Sequence, residues 1–472
     1  MAPGRYTLEE VLAVAQLHPF YNSLIEYPPC EKAIEQVLAQ KRCLDIQSQP
    51  LLQKKSIYKV VKRLATDTNA QNAYRESSYL SITGGGSGGI PMMFAVDVHE
   101  NRAQRAEIGR FIRLCKLVHP RDWVLSTHVS GGLYRSLDLM TELFESAGAT
   151  VLSAGNFMTP HEIIPTLIHY RVNVLTGDSS QIVQIIYHIS QLERADRENI
   201  VLDKIIYTSE PLTDSQRAFI RATCGDIKIY SVLGSAEAGP WTVSNPDLTE
   251  SGKYNNSSSV NFIFDTRNML VEIFPLAILD TSEKLVFDPI SERRPTPLPS
   301  GETGLVVQTS LQRLRNPLVR YITGDVGSLH ALPDSAHESI PESERPYLRI
   351  LRMQGRDRRF SFEWYGVYFE FEKLKALMLT EELGILQWQV ILYSQGASDP
   401  QVSLQVRLLR APGHSHAAGI LAEKDLLKQL WDFFLVLPEN EHLFHVDFVE
   451  NIEGFERSST AGKVINFVDR VH

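Results

Sequence analysis

Between residues 105 and 235, short apolar runs alternate with segments in which apolar residues recur at helical spacing. The short apolar runs predict β-strands at 123–127, 151–153, 172–175, 204–208 and 227–233. The amphipathic segments predict helices at 136–147, 161–170, 181–192 and 214–222. This alternation of strands and helices is typical of a parallel sheet with helices on its faces.

Two further patterns flank this region. Residues 7–75 are mostly helical in pattern, whereas residues 260–350 are β-rich, with predicted strands at 260–264, 269–274, 284–287 and 304–308. A smaller α+β unit follows, with predicted strands at 387–393 and 402–409 and a main helix at 423–436. We therefore predict an α/β fold: a large N-terminal domain (1–353) with mixed or parallel sheets flanked by helices plus a β-rich subdomain, and a small C-terminal α+β domain (354–472).

Composition narrows the functional classes. The chain has 472 residues, of which 43% are hydrophobic and 22% charged, as in a soluble globular protein. A formal net charge of −9 argues against nucleic-acid binding by bulk electrostatics.

The sequence contains no run of about 18 apolar residues, so no membrane-spanning helix is predicted. We recognise no targeting signal, so we expect a cytoplasmic protein. The four cysteines are too scattered for a disulfide framework or a zinc site.

The most informative segment is a glycine run that begins with a threonine, Thr83-Gly84-Gly85-Gly86-Ser87-Gly88-Gly89. Because glycine lacks Cβ, the backbone N–H groups of such a run can curl around an anion, and the two hydroxyls add donors. The run has neither the Walker ending nor the spaced glycines of a dinucleotide-binding motif. It predicts a phosphate-binding loop of another kind, and a flexible Gly/Ser linker is the alternative.

Three shorter motifs follow along the chain. Thr323-Gly324-Asp325 presents a carboxylate on a glycine turn, and such a carboxylate can accept hydrogen bonds from both hydroxyls of a ribose. Alone, such a tripeptide is usually just a turn. Gly355-Arg356 lies near the predicted domain boundary. Gly462-Lys463 lies close to the C-terminus, where a lone lysine is ordinarily a solvated surface charge.

In their order, these motifs and Gly234-Ser235-Ala236-Glu237 resemble those of the adenylate-forming superfamily, which includes acyl-CoA synthetases, adenylation domains and luciferases. Within it, the chain looks most like phenylacetate–CoA ligase-like proteins, and the resemblance covers nearly the whole chain. The segments that carry the closer likeness are Pro19-Phe20-Tyr21, Ser209-Glu210-Pro211, Glu237-Ala238-Gly239-Pro240 and Val319-Arg320-Tyr321. The resemblance implies the fold of that superfamily, with a mobile small domain. It also implies a two-step reaction, in which an acid and ATP form an acyl-adenylate and a thiol then displaces AMP.

The resemblance further implies a role for each motif. The ATP phosphates would be held by the loop residues Thr83, Gly84, Gly85, Gly86, Ser87 and Gly88. The adenine and the ribose would be bound by Glu210, Pro211, Gly234, Ser235, Asp325 and Arg356. Glu237 would help to bind Mg²⁺, which spreads the charge of the phosphates. Lys463 would reach the carboxylate and the α-phosphate, where a cation stabilises charge as it develops.

The acyl pocket of this branch lies in the segments after two central strands. By that resemblance, the acid would be bound by His128, Val129, Leu133, Tyr134 and Asp178. The apolar and aromatic types among them favour an aryl or arylalkanoic acid over a long fatty chain. His128 and Asp178 would orient a polar substituent of the acid, or would instead satisfy neighbouring protein groups.

Several positions depart from the family pattern. Ala236 stands where a Thr or Ser usually precedes the magnesium-site Glu, so either Ser235 substitutes for that hydroxyl or adenylation is slower. Gly89 replaces a usual Lys or Arg of the phosphate loop, and Ile90 resembles an insertion. Arg358 stands where the hinge pattern ends in Asp, and Glu363 where a basic residue is common.

These observations leave three readings of the function. The first is an ATP-dependent carboxylate–CoA ligase that uses ATP, Mg²⁺ and coenzyme A. The second is an acyl-adenylate former that delivers its product to a separate carrier protein or to an amine. The third is an ATP-binding homologue with weakened catalysis, which Ala236 favours. No nucleic acid or membrane is expected as a partner, and a homodimer stays open.

Overall fold

The structure is a computed structural model, and it describes residues 6–40, 43–82, 93–209, 211–212, 214–249, 259–278, 295–356, 361–365, 367–394, 402–411, 420–458 and 462–471. Its helices are α1 (Leu8–Ala15), α2 (Glu31–Leu38), α3 (Lys54–Thr66), α4 (Val98–Leu114), α5 (Ser136–Ser146), α6 (Pro160–His169), α7 (Ser179–Ser190), α8 (Arg194–Arg197), α9 (Asp214–Cys224), α10 (Pro246–Thr249), α11 (Phe371–Met378) and α12 (Glu423–Phe433). Its strands in the first half of the chain are β1 (Ser78–Ile82), β2 (Met93–Asp97), β3 (Trp123–Ser126), β4 (Ser130–Gly131), β5 (Tyr134–Arg135), β6 (Thr150–Ser153), β7 (Val174–Asp178), β8 (Lys204–Thr208), β9 (Lys228–Ser235) and β10 (Gly239–Ser244). The later strands are β11 (Val260–Asp265), β12 (Met269–Phe274), β13 (Gly304–Ser310), β14 (Tyr321–Ala331), β15 (Leu348–Arg356), β16 (Ser361–Trp364), β17 (Val367–Glu370), β18 (Ile385–Ser394), β19 (Val402–Arg410), β20 (Phe444–Phe448) and β21 (Phe467–Asp469).

The chain divides into two compact units, and each is made of several segments. The first unit comprises Met1–Arg121, Leu133–Thr150 and Tyr230–Asp357. The second comprises Asp122–Gly132, Val151–Ile229 and Arg358–His472. The division of the chain at residue 353 into two functional domains stays a prediction, as does the mobility of the smaller one.

The first unit is built on antiparallel strands in the order β12-β13-β14-β15-β11-β10-β9. A separate hairpin pairs β1 with β2. An apolar core brings together α3, β2 and the sheet, with Ile57, Phe94 and Trp241 among its buried members. This core fixes the hairpin that carries the glycine run next to helix α3.

The second unit contains strands in the order β8-β7-β3-β6, of which β8, β7 and β3 are parallel, and a four-stranded sheet in the order β20-β19-β18-β21. In the latter sheet, β18 and β19 are antiparallel, and the two outer strands run parallel to their neighbours. Helix α7 buries Ile182, Ile186 and Ile189 in the same apolar core as Leu409 and Val464. Val464, close to the C-terminus, thereby shares an apolar core with residues of the parallel strands within this unit.

The α/β fold class predicted from the sequence is confirmed, and each predicted strand between 123 and 233 has a counterpart in β3, β6, β7, β8 or β9. The predicted strand at 284–287 lies outside the described residues. The helix predicted at 423–436 is too long, because α12 ends at Phe433 and Leu435 then adopts a left-handed φ of 50°. Among the helices of the described ranges, none is both long and apolar enough to cross a membrane.

Candidate functional site

The glycine run connects the two strands of a hairpin in the first unit. Ile82, at the end of β1, is paired with Met93, at the start of β2. Two contacts hold this hairpin. Phe94 packs against Tyr58 with ring centroids 5.5 Å apart. The ring centroid of Tyr79 on β1 lies 4.7 Å from Cζ of the Arg105 guanidinium. The loop residues themselves, Thr83, Gly84, Gly85, Gly86, Ser87 and Gly88, lie outside the described residues. Their phosphate-binding role stays a prediction.

The predicted magnesium ligand Glu237 lies in the turn between β9 and β10. This turn is tight because Ser235 pairs with Gly239, and a Cβ on Gly234 would lie 2.7 Å from the Gly239 carbonyl oxygen. Gly239 itself has a left-handed φ of 72°, which favours glycine. The Ser235 hydroxyl accepts a hydrogen bond from the Ala238 N–H at 3.0 Å, so this side chain helps to close the turn.

The Glu237 carboxylate is buried and accepts hydrogen bonds from two tyrosines of the same unit. The Tyr321 hydroxyl donates to Oε1 at 3.0 Å and the Tyr58 hydroxyl at 3.3 Å. Burial, and then the Glu237 charge, raise the pKa of Tyr321 far above its usual range, so this phenol remains a donor. The buried Arg313 donates to the Glu237 carbonyl oxygen, which fixes the turn from below.

Asp325 lies on β14, four residues after Tyr321. Its N–H donates to the Thr323 hydroxyl at 3.0 Å, and that hydroxyl donates to the Val306 carbonyl oxygen at 3.0 Å. Gly324 between them has a φ of 82°, as the turn requires. The charge of Asp325 also raises the pKa of Tyr321, so Asp325 and Glu237 act on one phenol. Backbone pairing places Arg356 of β15 opposite Asp325.

In the second unit, polar side chains gather at the carboxyl ends of three parallel strands. Asp178 ends β7 and Thr208 ends β8, and the two residues are paired in register. Asp178 is 5% exposed, and its Oδ1 accepts hydrogen bonds from the Ser209 hydroxyl at 2.7 Å and the Thr208 hydroxyl at 3.2 Å. Ser209 has a left-handed φ of 75°, which is strained for a serine. Asp178 therefore holds the backbone that leads into the predicted adenine-binding residues.

Of those adenine-binding residues, Glu210 lies outside the described part of the chain, and Pro211 is exposed. The next residue, Leu212, is buried in the core of the second unit. The segment is thus anchored on one side by Asp178 and on the other by Leu212.

His128 follows β3 and is completely buried. Its Nε2 lies 3.2 Å from the hydroxyl of Thr176, and that hydroxyl donates its proton to the Ile206 carbonyl oxygen at 2.8 Å. We therefore assign the Nε2–H tautomer, in which Nδ1 is an acceptor. Burial lowers the pKa of His128 to about 4, the nearby Asp178 charge opposes that shift, and the Lys463 charge adds to it. The imidazole is therefore neutral at neutral pH.

Lys463 belongs to a hairpin at the C-terminal end of the second unit. Arg457 and Val464 form an antiparallel bridge, and the Ser458 N–H donates to the Lys463 carbonyl oxygen at 2.7 Å. Val464 is 3% exposed and lies in the apolar core of this unit. The positive charge of Lys463 contributes to the lowered pKa of His128. His128, Asp178 and Lys463, which are far apart in sequence, all belong to the second unit, and the charges of the latter two both act on the pKa of His128.

The remaining predicted acyl-pocket residues differ in environment. Val129 is buried, Tyr134 is half-buried, and Leu133 is 60% exposed with a φ of 70°. Val129 belongs to the second unit, whereas Leu133 and Tyr134 belong to the first. Their role in binding an acid stays a prediction.

No protein-family model matches the sequence, and no curated protein matches it significantly. Solved structures do match. A crystal structure of 2-hydroxyisobutyryl-CoA ligase in the postadenylation state, with R3-HIB-AMP, aligns with a TM-score of 0.59 at 16% identity, covering 98% of this chain and 87% of the other. An open conformation of that ligase with 2-HIB-AMP and CoA aligns with a TM-score of 0.50 at 15% identity, covering 97% and 89%.

The chain has the fold of this acyl-CoA ligase. At 16% identity the likeness concerns the fold alone, and the phenylacetate–CoA ligase-like branch stays a prediction.

The sequence did not predict the side chains that hydrogen-bond to the candidate residues. Tyr58 contacts Glu237 across 179 residues of sequence, and Thr176 contacts His128 across 48. Of these partners, only Thr176 could have been predicted from the sequence. It lies two residues before Asp178 and so projects from the same side of the strand. Within the described residues, no group of three His, Cys, Asp or Glu side chains could hold a metal ion.

Replacement of Asp178 by alanine is expected to lower the free energy of unfolding by about 1–3 kcal/mol, because two hydroxyl donors lose a buried acceptor. Asp178→Asn keeps an acceptor oxygen in the same place and is expected to cost less than half as much. Urea denaturation followed by circular dichroism measures both. Equal losses in the two variants would show that the charge, and not the accepted hydrogen bonds, holds Ser209.

Proposed function

We propose that the protein activates a carboxylic acid with ATP to form an acyl-adenylate, and then transfers the acyl group to coenzyme A. The observation that carries the proposal is that Val464, next to Lys463, lies in one apolar core with Leu125 of β3, Leu175 of β7 and Ile205 of β8, the strands whose carboxyl ends carry polar side chains. Ligands of open α/β sheets bind at the carboxyl ends of the strands. The fold shared with an acyl-CoA ligase supports the same chemistry.

In the first step, a carboxylate oxygen of the acid attacks the α-phosphorus of ATP. The bond to the bridging oxygen breaks, and pyrophosphate leaves. We assign two roles to Lys463: it binds the incoming carboxylate, and it stabilises the negative charge that develops on the α-phosphate oxygens. A fixed cation stabilises charge that appears only in the transition state. Ribose hydroxyls would donate to the Asp325 carboxylate.

Magnesium would accompany ATP, and Glu237 is the residue that would hold it. Mg²⁺ takes oxygen ligands, and the buried Glu237 carboxylate supplies them in a unit whose candidate nucleotide residues include Asp325. Bound there, the ion would spread the charge of the phosphates. The two tyrosines keep this carboxylate in one orientation.

In the second step, the sulfur of the coenzyme A thiolate attacks the acyl carbon, the bond between that carbon and the phosphate oxygen breaks, and AMP leaves. The thiol proton goes to solvent.

We favour an aryl or arylalkanoic acid within a phenylacetate–CoA ligase-like branch, on the motifs quoted above and on the residue types at Val129 and Tyr134. A carrier protein or an amine as the acceptor, a homodimer and a cytoplasmic location stay predictions.

A second candidate function is ATP binding with weakened catalysis. The Ser235 hydroxyl already accepts a hydrogen bond within the turn, and Ala236 beside it has no hydroxyl to offer the α-phosphate. Pyrophosphate exchange into ATP, measured with a panel of aryl acids, separates the two. Acid-dependent exchange supports the ligase, and nucleotide binding without exchange supports the second candidate. Addition of coenzyme A or a carrier protein then identifies the acceptor.

Replacement of Asp325 by alanine is expected to raise the KM for ATP by about 10- to 100-fold with a smaller change in kcat, because a charged hydrogen bond to the ribose persists from the ground state to the transition state. Initial rates of pyrophosphate exchange at varied ATP measure this. Asp334→Ala, at an exposed position of the same unit, is the matched control. An unchanged KM would remove Asp325 from the ribose site.

A further inference from the structure

Two buried polar atoms at the carboxyl end of β3 have no hydrogen-bond partner among the described residues. They are the Ser126 hydroxyl oxygen and His128 Nδ1, and both residues are completely buried. Unpaired buried polar atoms are rare in folded proteins, because each costs free energy unless water or a ligand satisfies it. Two of them, two residues apart, mark this strand end for a polar occupant.

The two atoms belong to one polar patch of the second unit. Ser126 and Thr176 are register partners in parallel strands, so their side chains project from the same side of the sheet. His128 reaches the Thr176 hydroxyl on that side, and Asp178 follows on the same strand as Thr176. On the opposite side, Leu125 packs into the apolar core with α7.

The patch offers a specific chemistry. The Nε2–H of His128 is used by Thr176, so Nδ1 can only accept. Lys463, the cation that we assign to the carboxylate of the acid, acts electrostatically on the same imidazole. An occupant that suits both groups has an anionic end and, elsewhere in the molecule, a hydroxyl or N–H donor.

We propose that His128 Nδ1 accepts a hydrogen bond from a hydroxyl or N–H group of the substrate acid, so that the protein selects acids with such a donor over hydrocarbon acids of the same skeleton. The inference rests on the proposed function, since it concerns the acid of that reaction. An acid without the donor would leave Nδ1 unpaired. The expected discrimination is about 10- to 100-fold, the effect of one unsatisfied buried group.

Two substitutions separate the two nitrogens of His128. Asparagine carries a side-chain oxygen near the position of Nδ1, whereas glutamine carries its amide near the position of Nε2. His128→Asn therefore keeps an acceptor for the substrate, and His128→Gln keeps a partner for Thr176 but lacks the acceptor. Circular dichroism and thermal unfolding of both variants check that the fold is retained.

The test is calorimetric binding of phenylacetic acid compared with its 2-, 3- and 4-hydroxy derivatives and with mandelic acid, which move one hydroxyl around a single skeleton. At least one hydroxylated acid is expected to bind the parent protein about 10- to 100-fold more tightly than phenylacetic acid. That ratio is expected to survive in His128→Asn and to fall to about one in His128→Gln. Pyrophosphate exchange is measured with the same acids.

These measurements keep the two proposals apart. If the protein prefers hydroxylated acids, loses that preference in His128→Gln and shows no pyrophosphate exchange, the subsite is supported and the ligase function is overturned. Exchange with every acid at equal affinity, or a preference that His128→Gln leaves unchanged, would overturn the subsite alone. Absence of binding by any acid of the panel would overturn the subsite as well.

Discussion

Replacement of Lys463 by alanine is expected to slow acid-dependent pyrophosphate exchange by about 10²- to 10³-fold, the loss that follows removal of one donor aimed at transition-state charge. The hairpin that carries Lys463 is held by Val464 in the core and by backbone bonds to Ser458, none of which needs the ammonium group. The variant should therefore fold normally. Steady-state exchange at saturating ATP and acid measures the effect.

A matched control for Lys463 lies in the same unit. Lys428 is an exposed lysine of α12, and Lys428→Ala removes the same side chain from a solvated position. We expect this variant to exchange pyrophosphate at the parent rate. If Lys463→Ala exchanged as fast as Lys428→Ala, Lys463 would be a surface charge without a catalytic role.

Replacement of Glu237 by glutamine is expected to lower the rate of adenylation by about 10²-fold, because the neutral amide is a poorer ligand for Mg²⁺ and stabilises less of the transition-state charge. Glutamine keeps an acceptor oxygen for Tyr58 and Tyr321, so the turn between β9 and β10 should persist. Exchange rates measured over a range of Mg²⁺ concentrations, with the thermal midpoint as the check on folding, give the result.

The control for Glu237 is Glu302→Gln, an exposed glutamate of the same unit, which should leave the magnesium dependence unchanged. A second control is Tyr58→Phe, which removes one hydrogen bond to the carboxylate but keeps its charge. If Glu237→Gln lowered the thermal midpoint and left the magnesium dependence as in the parent, the carboxylate would be a structural group only.

The sequence predicts the parallel strands well because their signal is local. Each of β3, β7 and β8 is a short apolar run, and each ends where a polar residue follows, as at His128, Asp178 and Thr208. The family resemblance places His128 and Asp178 in one predicted pocket, whereas Thr208 is not among the predicted site residues. The glycine turn at Gly324 is likewise a local feature.

Other features depend on contacts that no local pattern records. The two hydrogen bonds to Glu237 join residues that are 84 and 179 positions apart. Val464 of the C-terminal hairpin shares an apolar core with residues of α7 and with Leu125 of β3, and only tertiary packing brings these distant segments into one core. The end of α12 was missed for another reason, because Leu435 adopts a left-handed conformation in a sequence that still has helical periodicity.

Adenylate formation is tested most directly by tracing one oxygen atom from the acid into the nucleotide product. The protein is incubated with ATP, coenzyme A and an acid whose carboxylate carries ¹⁸O, and the nucleotide product is analysed by mass spectrometry. If the carboxylate attacks the α-phosphorus and sulfur then displaces AMP, the AMP contains one ¹⁸O and the pyrophosphate none. Formation of ADP, or of AMP without the label, would contradict adenylate formation by this protein.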